Sequence, residues 1–125
     1  MPVLRTGIDL VEISRLAELD TAIRRRFIAR IFTEQEQAEL GDNDASLSGR
    51  FAAKEAAAKA LGTGIGPVHW QDIEILKGEA GEPMLFLHGA AAELARKIGL
   101  QTWSVSITHD RTHAAAVVVA LGKAD

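Results

Sequence analysis

The sequence predicts an α+β fold in which a mainly antiparallel sheet packs against helices. Strand-like segments lie near both ends of the chain, and the last two are joined by so short a connection that they must pair antiparallel. Between them lies a long alanine-rich segment with helical spacing. A length of 125 residues, with 47% apolar and 25% charged residues, suits one globular unit. We therefore expect residues 1–125 to form a single domain.

The N-terminal part of the chain predicts a strand followed by short helices. Residues 3–11 are rich in aliphatic and β-branched types, which are typical of a strand. Apolar residues recur three or four positions apart over residues 12–32, so we expect one or two helices there. Thr33 and Glu36 form a capping-box pattern, which predicts a further helix that ends at residues 41–44.

Residues 45–61 predict the longest helix. Ser46 or Ser48 could cap its N-terminus, and Gly62 stands where a glycine commonly ends a helix.

The remaining residues predict two hairpins separated by a helix. Residues 69–76 and 82–87 are strand-like and flank a glycine-containing turn. Residues 89–100 have a helical pattern that ends at a glycine. Residues 102–109 and 113–121 form the final pair of strands.

Composition and charge exclude several classes of protein. A net charge of −3 gives no general attraction to nucleic acid or to anionic lipid. The absence of cysteine excludes a disulfide scaffold and a thiolate metal site. No segment approaches 18 uninterrupted apolar residues, and Arg5 and Asp9 interrupt the region where a signal peptide needs an apolar run. We expect a cytoplasmic protein with no nucleic-acid or membrane partner.

Asp9 is unusual because aspartate is depleted in strands. Its carboxylate could accept backbone hydrogen bonds at the strand end, or it could bind a hard cation together with a second carboxylate. Glu55 is the candidate partner, although it could instead form an ion pair with Lys59 one helical turn away. Two converging carboxylates would suit Mg²⁺, which retains waters and binds substrate phosphates. Lys59 would then reach a phosphate oxygen, so the three residues predict a diphosphate substrate.

Two further segments have alternative interpretations. The glycine loop at residues 62–66 follows a helix, whereas a P-loop precedes one, so it is either a helix cap with a turn or backbone that lies flat against a ligand. His109, beside Asp110, is either a hydrogen-bonded structural residue or a donor to a phosphate or ribose.

Residues 21–31 carry four arginines and no acidic residue. They form either a solvated helix face or a docking surface for an acidic partner, because guanidinium groups bind carboxylates in bidentate fashion. Nucleic acid suits them less, since no aromatic stacking platform accompanies the arginines.

Four segments, in order along nearly the whole chain, resemble the signatures of the bacterial holo-acyl-carrier-protein synthases, the small class of 4′-phosphopantetheinyl transferases. They are "GIDLVEISRL" at 7–16, "FTEQE" at 32–36, "RFAAKEAAAKALGTGIG" at 50–66 and "SITHD" at 106–110. The third is the most specific of the four.

The resemblance implies Mg²⁺-dependent transfer of phosphopantetheine from coenzyme A to a serine of an acyl carrier protein, with release of adenosine 3′,5′-bisphosphate. It implies that Asp9 and Glu55 are the metal ligands and that Lys59 lies near the coenzyme A phosphates. The general base stays open, since Glu55 could act directly or through a metal-bound water.

The resemblance also implies binding surfaces and an assembly. The residues expected to line the coenzyme A site are Gly62, Thr63, Gly64, Ile65, Gly66, Thr108 and His109. Those expected to dock the carrier protein are Arg15, Arg24, Arg25 and Arg26. The family implies a homotrimer with active sites between subunits.

Two other functions remain compatible with the residues alone. A non-catalytic module would bind an acidic helical partner through the arginines without Mg²⁺ or coenzyme A. A Mg²⁺-dependent nucleotide hydrolase would consume coenzyme A without a carrier.

Overall fold

The computed structural model describes residues 1–125 and confirms the α+β fold. The helices are α1 (Ile13–Ala17), α2 (Thr21–Ile31), α3 (Glu34–Leu40), α4 (Asp44–Leu61) and α5 (Gly89–Ile98). The strands are β1 (Pro2–Glu12), β2 (Ile73–Lys77), β3 (Pro83–Leu87), β4 (Leu100–His109) and β5 (His113–Lys123). None of the helices is both long and apolar enough to cross a membrane.

The main sheet has three antiparallel strands in the order β1-β5-β4. Helix α4 packs across its inner face, mainly against β1 and β5. Its alanines and the alanines of β5 are buried in this contact, which lets backbone approach backbone closely. At Gly7 the approach is so close that an added Cβ would overlap the carbonyl oxygen of Ala56. The small residues therefore set the distance between α4 and β1.

A buried ion pair connects α3, α4 and the second sheet, which consists of β2 and β3. The ammonium of Lys54 lies 2.7 Å from a carboxylate oxygen of Glu36, and both side chains are fully buried. Lys54 also donates to the carbonyls of Trp70 and Ile73, while Glu36 accepts from the backbone amides of Thr33 and Ile75. Because both charges are hydrogen-bonded several times, the pair fixes how α4 is rotated against its neighbours.

Two local predictions were wrong. The N-cap of α4 is Asn43, whose side chain accepts from the amide of Ser46, rather than Ser46 or Ser48. Residues 69–72 do not continue β2, because Trp70–Asp72 form a short 3₁₀ helix. The capping box of Thr33 and Glu36 is confirmed. Gly62 ends α4 in the left-handed conformation, with φ of 87°, as predicted.

The outer face of the main sheet exposes a broad apolar surface on two of its strands. Its side chains are between 37% and 67% exposed: Leu4, Ile8 and Leu10 of β1 and Val117, Val119 and Leu121 of β5. We call these six residues the outer apolar face. On β4 the same side carries exposed serines, Ser104 and Ser106.

Candidate active site

Asp9 and Glu55 face each other across the contact between β1 and α4. Asp9 lies within β1, three residues before its end, and its side chain is on the inner face two positions beyond Gly7. Glu55 directly precedes Ala56, the residue whose carbonyl packs on Gly7. Asp9 and Glu55 consequently line the same cavity, and the charge of Asp9 acts on the carboxyl of Glu55.

Lys59 pairs with Asp9 rather than with Glu55. Its ammonium donates to Asp9 Oδ1 at 3.2 Å and to the carbonyl oxygen of Ile8 at 2.9 Å. Asp9 receives no backbone hydrogen bond at its carboxylate, so the interpretation as a strand-end cap is wrong. The alternative ion pair between Glu55 and Lys59 is not formed either.

Glu55 is consequently left without an ion-pair partner. Burial raises the pKa of its carboxyl, and the nearby charge of Asp9 raises it further, while Lys59 opposes the shift. A half-buried carboxyl whose ionisation is made more costly by a neighbouring carboxylate marks a site where a cation is favoured. Their oxygens are hard ligands, and no third acidic or histidine side chain joins them in a metal-binding cluster. This donor set fits Mg²⁺, which needs few protein ligands beside waters and phosphate oxygens.

The three residues line a cavity of about 660 Å³. Arg15 and Glu12 also line it. Half of its lining is apolar and includes Leu16, Leu19, Ile23, Phe27 and Phe51. The rings of Phe27 and Phe51 are 5.5 Å apart between centroids, and Phe51 stacks on Trp70 at 5.0 Å. The cavity thus offers charged groups and apolar side chains to the same ligand.

The glycine loop, residues 62–66, combines a helix cap with a turn. The amides of Thr63 and Gly64 donate to the carbonyl of Ala58, and Gly62, Gly64 and Gly66 all have positive φ values. A Cβ at Gly62 would lie 3.1 Å from the guanidinium of Arg5. The loop is therefore next to β1, one helical turn beyond Lys59.

Thr108 and His109 lie away from the glycine loop. They are exposed at the end of β4 and pair with Ala115 and Ala114 of β5, whereas Arg5 pairs with Ala120. From residue 115 to residue 120 is five positions along β5, which is about 17 Å. One chain therefore does not bring Thr108 and His109 to the glycine loop.

The arginines predicted to dock a carrier are not equivalent. Arg24 lies 2.9 Å from Asp42 and 2.6 Å from Asp44, and it donates to the carbonyl of Leu16. The expectation of a cluster without compensating acids is therefore wrong for Arg24, because its partners are Asp42, in the connection between α3 and α4, and Asp44, at the start of α4. Arg25 and Arg26 are exposed, and Arg15 lines the cavity.

Comparison with known proteins identifies the family. The model of the 4′-phosphopantetheinyl transferase superfamily matches residues 5–118. The chain belongs to this superfamily. It is 43% identical to the holo-[acyl-carrier-protein] synthase of Herpetosiphon aurantiacus, covering 95% of the chain and 99% of that protein. The corresponding synthase of Moorella thermoacetica is 46% identical over 93% of the chain and 92% of its own length.

Among solved structures, the Helicobacter pylori holo-[acyl-carrier-protein] synthase in complex with coenzyme A matches with a TM-score of 0.84. The two are 34% identical, with 92% of this chain and 98% of that one covered. These likenesses span nearly the whole chain and confirm that it is a phosphopantetheinyl transferase of the holo-acyl-carrier-protein synthase kind.

The sequence did not reveal that apolar side chains of α1, α2 and α4 line the cavity together with the two acids. Ile23 and Phe27 have the helical spacing of ordinary core residues, and nothing local distinguishes a cavity wall from a core. Ser48 also lines the cavity, although its position in the sequence indicated only a possible helix cap.

Proposed function

We propose that this transferase moves 4′-phosphopantetheine from coenzyme A to a serine hydroxyl of an acyl carrier protein and releases adenosine 3′,5′-bisphosphate. The observation that carries the proposal is the pair of carboxylates, Asp9 and Glu55, beside the ammonium of Lys59 in one cavity. Two acids that can hold a metal ion, together with a lysine ammonium group, suit a pyrophosphate, because its negative charge is distributed over several oxygens.

In this proposal the chain's own residues have separate tasks. Asp9 and Glu55 would hold Mg²⁺, which when bound supplies charge neutralisation at the oxygen of the leaving nucleotide. The ammonium of Lys59, already half exposed, exchanges its contact with Asp9 for a phosphate oxygen and stabilises the charge on the transferring group. The serine oxygen attacks phosphorus and loses its proton to a base. Glu55 is the candidate for that base, because its carboxylate lines the same cavity as Lys59 and Asp9.

We further propose that Arg15, Arg25 and Arg26 attract the acidic carrier. Arg15 is next to the metal-holding residues in the cavity, so a carrier bound there would present its serine close to the pyrophosphate. Arg24 would act indirectly, because its ion pairs with Asp42 and Asp44 hold α2 against the start of α4. A protein with these substrates would work in the cytoplasm.

A homotrimer with active sites between subunits would explain two features. The outer apolar face exposes six aliphatic side chains on two paired strands, so a second copy of the chain is the proposed cover. Thr108 and His109 lie far from the glycine loop within one chain. A neighbouring subunit that contributes Thr108 and His109 would bring them to the glycine loop in one coenzyme A site.

The direct test is to incubate the protein with an apo acyl carrier protein, coenzyme A and Mg²⁺ and to measure the mass of the carrier. We expect a mass gain equal to one phosphopantetheine, and we expect none without the divalent ion. An unchanged carrier with Mg²⁺ and with Mn²⁺ would overturn the proposal. Consumption of coenzyme A in the absence of carrier would instead indicate a hydrolase.

A further inference from the structure

Arg5 has a partly buried guanidinium group without a partner in the protein. Its side chain is on the inner face of β1 and forms neither an ion pair nor a side-chain hydrogen bond. The other arginines that are partly or fully buried, Arg24 and Arg50, both have carboxylate partners. A guanidinium group carries five N–H donors, and those of Arg5 have no protein acceptor.

The guanidinium of Arg5 lies against the end of α4. Its Nη1 is 3.1 Å from the position that a Cβ of Gly62 would occupy. The carbonyl oxygens at the end of α4 are the nearest structural acceptors, but they accept from the amides of Gly62, Thr63 and Gly64, and Arg5 donates to none of them. The donors of Arg5 therefore remain available to a ligand beside the glycine loop.

The surroundings of Arg5 favour an anionic ligand. Residues 56–71, which include the end of α4 and the glycine loop, contain no acidic residue, and neither do residues 113–124 of β5 and its end. Within β1 the first acid is Asp9, which pairs with Lys59. Although the protein has a net charge of −3, Arg5 and Lys59 thus provide two cations around the end of α4.

The spacing of Arg5 and Asp9 suits the phosphates of coenzyme A. Both side chains are on one face of β1, and four residues of strand separate their Cα atoms by about 13 Å. In coenzyme A the 3′-phosphate of the ribose is six bonds from the nearer phosphorus of the pyrophosphate and eight from the farther one. An extended chain spans about 3.6 Å for every three bonds, so these distances are at most about 7 and 10 Å. The two side chains cover the remaining distance.

We propose that Arg5 binds the 3′-phosphate of coenzyme A and gives the protein a preference for coenzyme A over its 3′-dephospho form. This inference rests on the proposed function, because it takes coenzyme A as the substrate and places the pyrophosphate at Asp9 and Glu55. The 3′-phosphate is remote from the bond that breaks and stays on the departing adenosine 3′,5′-bisphosphate. Arg5 is therefore a specificity-determining residue, which stabilises the bound substrate and the transition state equally.

The test compares two ligands that differ only in the 3′-phosphate. Calorimetric titration measures the binding of coenzyme A and of 3′-dephospho-coenzyme A to the wild type and to Arg5→Gln. We expect the variant to bind coenzyme A about tenfold more weakly and to keep its affinity for the dephospho form. Lys97→Gln is the matched control, because Lys97 is exposed in the last turn of α5 and its loss removes the same charge near a helix end. It should match the wild type with both ligands.

The kinetics of carrier modification give a second readout. Arg5→Gln should raise KM for coenzyme A and leave kcat within about twofold of the wild type, and Arg5→Lys should recover part of the affinity. Equal loss of affinity for both ligands would show that Arg5 acts on the pyrophosphate or on the fold, and would overturn the inference. Unchanged affinity for coenzyme A, or a fall in kcat with unchanged KM, would also overturn it.

The wild type separates this inference from the proposed function. A wild type that modifies the carrier but binds both forms of coenzyme A equally would overturn the role of Arg5 alone. A wild type that does not modify the carrier would overturn the proposed function.

Discussion

At the scale of single residues, the ionisation of Glu55 depends on which charges lie beside it. Lys59 is bound to Asp9, so Glu55 is half-buried beside a second carboxylate without a cation of its own. A divalent ion would reverse this unfavourable arrangement, because it favours the ionised form of both acids. The charges of the ligand-free protein therefore favour the binding of a cation at Asp9 and Glu55.

Neutralising either acid should stop the reaction while leaving the fold intact. We expect Asp9→Asn and Glu55→Gln each to reduce the rate of carrier modification by at least about 100-fold, because an amide is a poor Mg²⁺ ligand and the charge at the leaving group is lost. Glu12→Gln is the matched control, since Glu12 lines the same cavity outside the proposed metal site. Mass spectrometry gives the rate and circular dichroism checks the fold. A variant with the wild-type rate would remove that residue from the site.

At the scale of elements, the contact between β1 and α4 determines whether the two acids meet. The contact depends on Gly7, which has no room for a side chain against the backbone of Ala56. Asp9 is two residues from this point, so any separation of β1 from α4 moves it away from Glu55.

Gly7→Ala should therefore reduce both stability and activity. We expect a loss of about 1–3 kcal/mol in the free energy of unfolding, since the added methyl group forces backbone apart from backbone. Activity measured where the variant is still folded should fall as well, because Asp9 and Glu55, the proposed metal ligands, separate. Glu79→Ala, in the exposed turn between β2 and β3, should change neither quantity appreciably. Urea unfolding and carrier modification at saturating Mg²⁺ measure the two effects. Full activity in a destabilised Gly7→Ala would show that the spacing of the elements does not control the site.

Glu74 connects the second sheet with the start of α3, and its contribution to stability should depend on pH in the acid range. Burial alone would raise the pKa of this carboxyl, but hydrogen bonds from Thr33 at 2.6 Å and His88 at 3.0 Å, with the charges of His88 and Lys54, lower it overall. A carboxyl whose pKa is lower in the folded state stabilises the fold above its ordinary pKa of 4.5. That contribution is lost as pH falls through the lowered value.

Glu74→Gln should consequently lose about 1 kcal/mol relative to the wild type at neutral pH, and the difference should shrink below pH 4.5. Glu79→Gln, in the exposed turn between β2 and β3, should show no such pH-dependent difference. Urea unfolding across the pH range measures both variants. A constant difference down to the most acid pH would contradict the role assigned to Glu74.

The sequence predicted elements best where the signal is local. The capping box of Thr33 and Glu36 requires only a spacing of three residues, and it was predicted correctly. The N-cap of α4 was missed because Asn43, Ser46 and Ser48 are all acceptable capping types, and only the packing of α4 selects Asn43. The two acids that pair with Arg24 lie much later in the sequence, beyond α3, and no local pattern connects them with Arg24.

At the scale of the whole molecule, the outer apolar face is the feature that a single chain does not explain. It lies on the side of the sheet opposite α4, so no element of the same chain covers it. Alternation along β1 and β5 placed aliphatic residues on both faces, which is the pattern of a sheet buried on both sides. This pattern supports the proposal that a second copy of the chain covers the face, whereas the number of subunits rests on the family resemblance.

A charge on the outer apolar face should dissociate the proposed homotrimer. Val119 lies at the middle of the sheet in β5, away from the metal-holding residues, and is 37% exposed. We expect Val119→Glu to sediment as a folded monomer and to lose activity, because each site would lack residues from a second subunit. Ser104→Glu, at the exposed position that pairs with Val119, places the same charge beside the outer apolar face and serves as the comparison. An active monomer would show that one chain contains the whole site.

The central claim is that Asp9 and Glu55 share one divalent ion beside the pyrophosphate of coenzyme A. The most direct measurement is the anomalous scattering of Mn²⁺ in a crystal soaked with Mn²⁺ and coenzyme A. We predict one strong anomalous peak within about 2.5 Å of a carboxylate oxygen from each residue, with phosphate oxygens completing the coordination. A peak bound to neither carboxylate, or no peak in a crystal that holds coenzyme A, would contradict the claim.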